Sequence, residues 1–504
     1  MERGVSPARW SLVLPLLLAG VLFSASPLGA ALKDPVRVQE GLLAGVPALD
    51  PAITAFKGIP FAAPPVGQLR WKAPQPAAKW DGIRLADKFG PSPIQRSVVE
   101  SKPWTHEFMT HGDLSEDCLY LNVSTPAKTP TEKLPVFVWI YGGGYTEGSG
   151  AVAVYNGEGL ARKGLVTVTI NYRVGAFGFL AHPELTAESG YNASGNYGIL
   201  DAVAALKWVQ ANIAAFGGDP GNVTIAGQSA GSGVAQVLLL SPLGKGLFHR
   251  AILESGPPIG VGTTRLADQE TAGVNFGAVR GANSLAEMRA LTSQQIFRAP
   301  VALAPAAAPA PAPGATPAPA AARGGRGGLR NGPVIDGYVL TAPAAEIFAA
   351  GKQNDVPVIG GGNAKDSGAL GSMPVTLQWA ATRNAMAKTP SYVYYFTHVL
   401  PGPDAAKDGA FHTSEVPYAL NTLFMSDRPF TDADHQVANQ MSQYWANFAK
   451  TGNPNGPGLP RWLNTVEAGG KVMELGDNMG MIDPPAPAAP VAPAPAAAPA
   501  PAAR

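Results

Sequence analysis

Short apolar runs alternate with segments of helical periodicity along most of this chain. The runs at residues 134–141, 166–173 and 223–226 predict buried strands. Apolar residues at helical spacing predict a helix over residues 198–216, and residues 234–240 predict the apolar face of another helix. The first half of the chain therefore alternates between strands and helices.

The same pattern continues beyond residue 240. Residues 251–253, 356–359 and 392–396 predict further strands, and a late amphipathic helix is predicted to stop at residues 451–452. Strands and helices that alternate in this way are typical of a doubly wound sheet. The predicted fold is therefore α/β, with a large and mostly parallel central sheet flanked by helices.

Three segments depart from this pattern. Residues 1–31 combine two arginines, an apolar run and a small-residue end, which predicts a secretory signal and export as a secreted or periplasmic protein. The apolar run is short for a membrane span, which needs about 20 residues, although a retained anchor stays as the alternative. Residues 299–330 and 484–504 are rich in Pro, Ala and Gly, which predicts a disordered insertion and a disordered tail. One catalytic domain is predicted over residues 32–483.

Composition narrows the class of protein further. The 504 residues are 46% hydrophobic, enough for one large α/β domain or two ordinary ones. A net charge of +1 gives no electrostatic reason to expect nucleic acid or an anionic membrane as a partner. Cys118 is the single cysteine, so no internal disulfide can form, and a buried free thiol is expected. Trp80 and Phe89 are expected to anchor the core.

The strongest chemical signal is the sequence Gly227-Gln228-Ser229-Ala230-Gly231 between a predicted strand and a predicted helix. Glycine on either side of the serine suits a corner where strand and helix nearly touch, and the strained turn pushes the hydroxyl out of the fold. Gly-x-Ser-x-Gly alone is weak evidence in a glycine-rich chain, but here the flanking pattern is right. Ser229 is the candidate nucleophile, and a structural turn serine is the alternative.

Three glycines, Gly142 to Gly144, follow the predicted strand at residues 134–141. Bare peptide groups at the carboxyl end of a strand can point their N–H groups at one spot. In an acyl-transfer enzyme that spot holds the oxyanion, and the amide after the nucleophile supplies another donor. A packing loop is the alternative for this segment.

A serine nucleophile needs a histidine base, which follows the serine and the acid in the chain order of a hydrolase sheet. Four histidines come after Ser229: His249, His398, His412 and His435. His249 follows too soon for an acid to intervene, and the positions of His398 and His435 suit a cap or a surface residue. His412, in a loop after the last clear strand, is the best candidate.

The acid is expected just past the carboxyl end of a strand, where an α/β sheet places its functional groups. Asp366 lies in the loop after the predicted strand at residues 356–359, and Glu254 directly follows the strand at residues 251–253. Asp366 is favoured and Glu254 is the runner-up. Asp336 precedes Gly337 and is expected to be a turn residue.

Taken together, the motifs resemble the type-B carboxylesterase family of α/β-hydrolases, which includes the cholinesterases. The matching motifs occur in family order at residues 56–60, 65–67, 116–122, 141–144, 227–231, 240–249, 254–256 and 445–454. The resemblance implies Ser229 as nucleophile and His412 as base, with the amides of Gly143, Gly144 and Ala230 as the oxyanion hole.

The resemblance also bears on the acid and its surroundings. The family usually carries Glu in an Asp-Glu-Gly run, and the matching run here is Lys365-Asp366-Ser367, which supports Asp366 with a shorter side chain. Ser255 resembles a serine that the family places beside the triad.

Three departures from the family pattern stand out. The upstream cysteine that commonly pairs with the position of Cys118 is missing, and Gln228 replaces the glutamate that often precedes the nucleophile. Asp366 and His412 are close in sequence, where family members usually carry more helices, so a more open cleft is expected.

These observations predict hydrolysis of a small-molecule carboxylic ester through a Ser-His-Asp triad and an acyl-enzyme. No metal or other cofactor, no nucleic acid and no stable membrane insertion after signal cleavage is expected, and the sequence leaves the oligomeric state open. Two alternatives remain: a catalytically silent binding protein of the same family, and an amidase or thioesterase with the same machinery.

Overall fold

The computed structural model describes residues 1, 32, 35–96, 100, 102–256, 263–298, 329–366 and 373–485. Apart from a few marginal positions, the predicted signal segment at 1–31, insertion at 299–330 and tail at 484–504 lie outside these residues. The fold below is that of the described residues.

One large sheet forms the centre of the molecule. Its eleven strands, numbered in chain order, are β1 (Val46–Pro47), β2 (Thr54–Pro60), β3 (Tyr120–Thr125), β4 (Leu134–Ile140), β5 (Val166–Ile170), β6 (Gly218–Gln228), β7 (Arg250–Glu254), β8 (Val358–Asn363), β9 (Ser391–Phe396), β10 (Val472–Leu475) and β11 (Gly480–Ile482). Their order across the sheet is β1-β2-β3-β5-β4-β6-β7-β8-β9-β10-β11. The strands from β5 to β10 in this order pair in parallel, while β1, β2 and β3 at one edge and β11 at the other pair antiparallel. The predicted α/β fold with a mostly parallel sheet is confirmed.

Helices and short connecting elements surround this sheet. The α-helices are Glu158–Ala161, Gly175–Phe179, Pro183–Glu188, Tyr197–Asn212, Ala230–Leu240, Leu266–Ala278, Leu285–Ala290, Ser293–Phe297, Ala344–Ala349, Met373–Met386, Ala405–Asp408, Val416–Ala419 and Asp432–Thr451. The 3₁₀ helices are Gly67–Leu69, His106–Phe108, Ala153–Tyr155, Ile213–Phe216, Pro242–Gly244 and Leu423–Met425. Short strands outside the large sheet are Val36–Arg37, Leu42–Ala44, Ile83–Leu85, Ser92–Pro93, Leu114–Ser115, Thr264–Arg265 and Val334–Ile335.

The central strands are buried because helices cover both faces of a parallel sheet. All five residues of β5 are buried, as are the last five of β4. Helix Tyr197–Asn212 continues as a 3₁₀ turn to Phe216 and ends at Gly217, whose φ of 77° lies in the left-handed region that favours glycine. The predicted helix at 198–216 is therefore confirmed to within one residue at its start.

The segment Tyr197–Phe216 is also long and apolar enough to cross a membrane by length and composition. About two thirds of it is buried within the protein, since it packs against the helix Ala230–Leu240 and β6. A core helix passes the same test of length and hydropathy, and we assign it that role.

The late helix Asp432–Thr451 has sharp ends. Thr431 and Asp434 form a capping box at its start, in which each side chain accepts a hydrogen bond from the backbone N–H of the other residue. Gly452, with φ 80°, terminates it. The predicted stop at residues 451–452 is confirmed.

Two expectations about single elements were wrong. The glycines after Ile359 were expected to form a loop, but β8 extends through them to Asn363. Glycine is needed at position 361 because a Cβ there would lie 2.4 Å from the ring and carbonyl of Tyr394 on β9. Phe89 does not anchor the core, since 47% of it is exposed and its ring stacks against the Lys57 ammonium group.

The structure agrees with the expectations for Trp80 and Cys118. Trp80 is half-buried against the core, and its indole N–H donates to the Leu42 carbonyl at 2.8 Å. Cys118 is a buried free thiol just before β3, and burial raises its pKa well above the ordinary value. The thiol is therefore protonated and shielded from solvent.

Candidate active site

Ser229 lies at the corner between β6 and the helix Ala230–Leu240. Its φ of 56° and ψ of −122° are strained for a residue with a side chain. The corner is held on both sides: the Ser229 N–H donates to the Glu254 carbonyl at 2.9 Å, and its carbonyl accepts from the Gly233 N–H at 3.0 Å. The strand-turn-helix context predicted for this serine is therefore present.

Glycine is required on both sides of this corner because three elements meet there. A Cβ on Gly231 would lie 2.0 Å from the Ile140 carbonyl oxygen, and one on Gly227 would lie 2.5 Å from the Gly231 backbone. A Cβ on Gly142 would approach the Ser229 Cβ to 3.0 Å. Close backbone approach, inferred from the glycine spacing, explains why no larger residue fits.

The loop after β4 turns back beside the serine. Gly143 and Gly144 have φ values of 109° and 61°, and the Gly143 carbonyl accepts from the N–H groups of Thr146 and Glu147. Within the described chain, the N–H groups of Gly143, Gly144 and Ala230 have no hydrogen-bond acceptor. Two belong to a loop that lines the cavity containing Ser229, and the third is the first amide of the helix after it. Unpaired amides of this kind can bind an oxyanion.

His412 and Asp366 lie next to each other. Nδ1 of His412 is 2.6 Å from Oδ1 of Asp366, and the other Asp366 oxygen accepts from the Asn363 N–H at 2.6 Å. Both side chains are largely shielded from solvent, with 11% of the imidazole and 4% of the carboxylate exposed. The carboxylate thus fixes the imidazole orientation and holds a proton on Nδ1.

The other imidazole nitrogen faces the residue before the nucleophile. Nε2 of His412 lies 3.2 Å from Nε2 of Gln228, whose amide donates a hydrogen bond to the ring. This arrangement matches the neutral imidazole with its proton on Nδ1, the form in which Nε2 can accept a proton. Within the described residues, His412 Nε2 makes no hydrogen bond to the Ser229 hydroxyl, although both side chains line the same cavity.

Two opposing effects set the pKa of His412. Burial by itself lowers it, but the hydrogen bond and the negative charge of Asp366, with a contribution from Glu415, raise it above its usual value overall. The imidazolium form is therefore stabilised where proton transfer from a nucleophile would create it.

The runner-up acid has a different partner. Glu254 is fully buried at the end of β7, and its Oε1 accepts from the Trp445 indole N–H at 2.8 Å. Burial raises the pKa of Glu254 to about 8. Asp336 behaves as the expected turn residue, accepting from the N–H groups of residues 338–340. Of the three acidic candidates, Asp366 is the one hydrogen-bonded to His412.

Ser255 and Glu415 form a second polar group beside His412. The Ser255 hydroxyl donates to Glu415 Oε1 at 3.1 Å, and the Asn363 side-chain amide donates to Glu415 Oε2. Burial and the charges of Glu254 and Asp366 raise the pKa of Glu415. Sequence reasoning missed Glu415; its signal was a carboxylate three residues after the candidate base, at the start of an apolar segment.

The remaining histidines have structural surroundings. His249 Nδ1 accepts from the Val223 N–H at 3.1 Å, and His435 is exposed on the late helix. The expectation that His398 is a cap or surface residue was wrong. It is buried, and its ring nitrogens contact Asp434 at 2.9 Å and Asp477 at 2.7 Å. It joins the late helix to the loop after β10.

The cavity in front of Ser229 has a volume of about 410 Å³. Its apolar wall, which sequence reasoning missed, consists of Trp104, Phe108, Met109, Val152 and Tyr155. The Trp104 indole N–H donates to the His412 carbonyl at 3.0 Å, so this wall also supports the histidine loop. Among the described residues, no group of three or more His, Cys, Asp or Glu side chains is placed to hold a metal ion.

The chain is similar to known carboxylesterases over most of its length. A model of the carboxylesterase family matches residues 34–377 and 372–488. Fumonisin B1 esterase of Sphingopyxis macrogoltabida is 33% identical, over 95% of this chain and 92% of that protein. Liver carboxylesterase of Sus scrofa is 31% identical, over 89% of this chain and 91% of that protein. A medium-chain fatty acyl-CoA hydrolase precursor of Anas platyrhynchos is 32% identical, over 89% and 90%.

Proposed function

The chain belongs to the carboxylesterase family of α/β-hydrolases and is a carboxylic ester hydrolase, and we propose that it acts through an acyl-enzyme formed on Ser229. Its substrate is a small-molecule ester. In this proposal His412 is the general base, Asp366 orients it, and the amides of Gly143, Gly144 and Ala230 bind the oxyanion. Gln228 contacts the imidazole directly, and Ser255 supports the site through its hydrogen bond to Glu415.

The first half-reaction forms the acyl-enzyme. A turn of the Ser229 side chain brings its hydroxyl to His412 Nε2 as substrate enters, in place of the Gln228 amide 3.2 Å away. His412 takes the proton while Ser229 Oγ attacks the ester carbonyl, and the three amides stabilise the negative oxygen. His412 then protonates the departing alkoxide, which leaves as the alcohol.

The second half-reaction regenerates the enzyme. Water enters the cavity, His412 removes its proton, and the hydroxide oxygen attacks the acyl carbonyl. Collapse of the tetrahedral intermediate returns the proton to Ser229 Oγ and releases the carboxylic acid. Asp366 stabilises the imidazolium in both steps.

The observation that carries this proposal is the convergence of separate elements on one cavity. Asp366 and His412, 2.6 Å apart, lie in the loops after β8 and β9. The strained serine follows β6, and the unpaired glycine amides follow β4. A serine with only a structural role in a turn would not require unpaired amides and an oriented histidine beside it. The same constellation argues against a catalytically silent binding protein.

The direct test is a substrate panel on the purified protein, with p-nitrophenyl acetate, the matching anilide and an acyl thioester, each repeated with Ser229→Ala. We expect the ester to be hydrolysed, the anilide to be a poor substrate, and the variant to be inactive. Full activity of Ser229→Ala on the ester would refute the proposed nucleophile.

A thioesterase is the second candidate, because one relative is named a fatty acyl-CoA hydrolase. The acyl-enzyme chemistry is the same for a thioester. A higher kcat/KM for the acyl thioester than for the oxygen ester of the same acyl chain would favour it.

Export is a separate proposal that rests on residues 1–31 alone. Expression of the full chain in a bacterial host with a secretory pathway, followed by N-terminal sequencing, tests it. A mature N-terminus near residue 31 is expected, and retention of residue 1 on a cytosolic product would contradict it.

A further inference from the structure

A second cavity adjoins the one in front of Ser229. It has a volume of about 610 Å³ and shares Thr146 and Glu147 with the first cavity. Thr146 and Glu147 therefore lie between the two spaces, and a ligand whose ester carbonyl lies at Ser229 has the second space beside it. The proposed chemistry assigns no role to this cavity.

The charge of the second cavity is unusual for a protein with a net charge of +1. Among the described residues, Arg96, Arg280 and Arg298 line it, and Glu147 is the one carboxylate in this lining. Residues 97–99 and 299–328, which follow Arg96 and Arg298 in the chain, contain no Asp or Glu. Positive charge is thus concentrated beside a site whose expected substrates include neutral esters.

Arg280 forms a rigid part of this wall. Its guanidinium lies 3.6 Å from the centre of the Phe276 ring and donates to the backbone carbonyls of Phe276, Gln295, Ile296 and Arg298. These bonds use Nε and one N–H on each terminal nitrogen, so two of its N–H donors remain unassigned within the described chain. Burial lowers the pKa of Arg280.

The other two arginines are exposed at the same cavity. In the described part of the chain, neither the Arg96 nor the Arg298 side chain makes an ion pair or hydrogen bond. Burial raises the pKa of Glu147, and the charge of Arg96 opposes this. Three cations and one carboxyl group, with donors unused, form a surface that suits a bound anion.

We propose that this cavity, the arginine subsite formed by Arg96, Arg280 and Arg298, binds a carboxylate on the substrate. The inference rests on the proposed function and narrows its substrate class to esters that carry a free carboxylate at a distance from the scissile bond. A guanidinium pairs with a carboxylate in a planar, two-bonded geometry, which gives orientation as well as affinity.

The test compares esters that differ only in this charge. Monobutyl adipate carries its carboxylate on the acyl chain, and butyl hexanoate is its neutral match. The acetate ester of 6-hydroxyhexanoate carries it on the alcohol, with hexyl acetate as the match. Hydrolysis is followed by chromatography of the alcohol or acid released. We expect at least one anionic ester to exceed its neutral match in kcat/KM.

The variant Arg96→Gln/Arg298→Gln should lower kcat/KM for the preferred anionic ester about threefold to tenfold and leave the neutral ester unchanged. Arg461→Gln, at an exposed position that lines neither cavity, is the matched control. For the wild type, the advantage of the anionic ester should shrink between low and high NaCl because salt screens exposed charge. This salt series needs no variant to fold.

Equal effects on the anionic and neutral esters, no effect on either, or no differential response to salt would overturn the arginine subsite. These results differ from a failure of the proposed function, in which the wild type hydrolyses neither member of any pair.

Discussion

His412 Nδ1 lies 2.6 Å from Asp366 Oδ1, although the two residues are 46 positions apart in the chain. The loops after two neighbouring parallel strands, β8 and β9, bring them together. A backbone bridge between Lys365 and Phe411, with the Lys365 N–H donating to Ala410 at 2.9 Å, ties the two loops. The geometry of the base therefore depends on the carboxyl edge of the sheet rather than on local sequence.

The first prediction separates the two acidic candidates. Asp366→Asn should lower kcat by about 10⁴-fold, less than the loss approaching ~10⁶-fold expected for His412→Ala, because the acid orients a base that is still present. Glu254→Gln should cost far less, since Glu254 contacts the Trp445 indole and not the imidazole. Steady-state kinetics on p-nitrophenyl acetate measure all three. A severe Glu254→Gln with a mild Asp366→Asn would reverse the assignment.

The second prediction concerns pH. His412 must be neutral to act as a base, so activity is lost as pH falls through its pKa, which Asp366 raises. Gln228→Glu places a carboxylate where an amide now lies 3.2 Å from Nε2, which stabilises the imidazolium further. The acidic limb of the kcat/KM profile should move to higher pH.

The matched control for this pH shift is Gln228→Asn, which shortens the side chain without adding charge. Its acidic limb should stay close to that of the wild type. An acidic limb that does not move in Gln228→Glu would show that residue 228 turns away from the imidazole in solution.

The third prediction concerns stability. Burial raises the pKa of Glu254 to about 8 and also raises the pKa of the neighbouring Glu415, so the folded state holds these protons more tightly than the unfolded chain, whose glutamates have a pKa of ~4.3. Between these values the folded state binds more protons, and the free energy of unfolding must fall as pH rises. Above about pH 8 both states have lost these protons, so they no longer change the free energy of unfolding with pH.

Glu254→Gln cannot titrate and should reduce that fall, so the variant should gain stability relative to the wild type between pH 5 and pH 8. Urea unfolding at both pH values measures the difference. Glu346→Gln, at an exposed position on a short helix, should leave the pH dependence as it is. A wild-type slope that survives in Glu254→Gln would assign the proton to another group.

The fourth prediction follows from the cleft. The short stretch between Asp366 and His412 predicts an open site, and the cavities of about 410 Å³ and 610 Å³ adjoin each other. Each methylene in a pocket changes binding by only ~1–3 kcal/mol, so an open cleft should tolerate long acyl groups. We expect kcat/KM to fall little, or to rise, from acetyl to hexanoyl and aryl p-nitrophenyl esters, with no special advantage for quaternary ammonium esters. A steep drop beyond butyryl would mean that other segments close the site.

Features with a local cause could be predicted from the sequence. The corner at Ser229 needs a strand, two glycines and a helix within about a dozen residues, and the structure has all of them. The end of the late helix at Gly452 is also determined locally, because a left-handed backbone conformation is required at that one position.

Features with a distant cause could not be predicted. Glu415 is held by hydrogen bonds from Ser255, just after β7, and from Asn363, at the end of β8. Nothing near Glu415 in the sequence indicates either partner. The apolar wall of the cavity, which includes Trp104, likewise reaches the site only through tertiary packing. The glycines of β8 were expected to form a loop, whereas Gly361 is a glycine because the Tyr394 ring on the neighbouring strand leaves no room for a Cβ.

An acyl-enzyme on Ser229 can be trapped by rapid acid quench of a p-nitrophenyl ester reaction and located by intact and peptide mass spectrometry. We expect one acyl group per protein, on the peptide that contains Ser229, and none on Ser229→Ala. An acyl adduct on another residue, or undiminished turnover by Ser229→Ala, would contradict it.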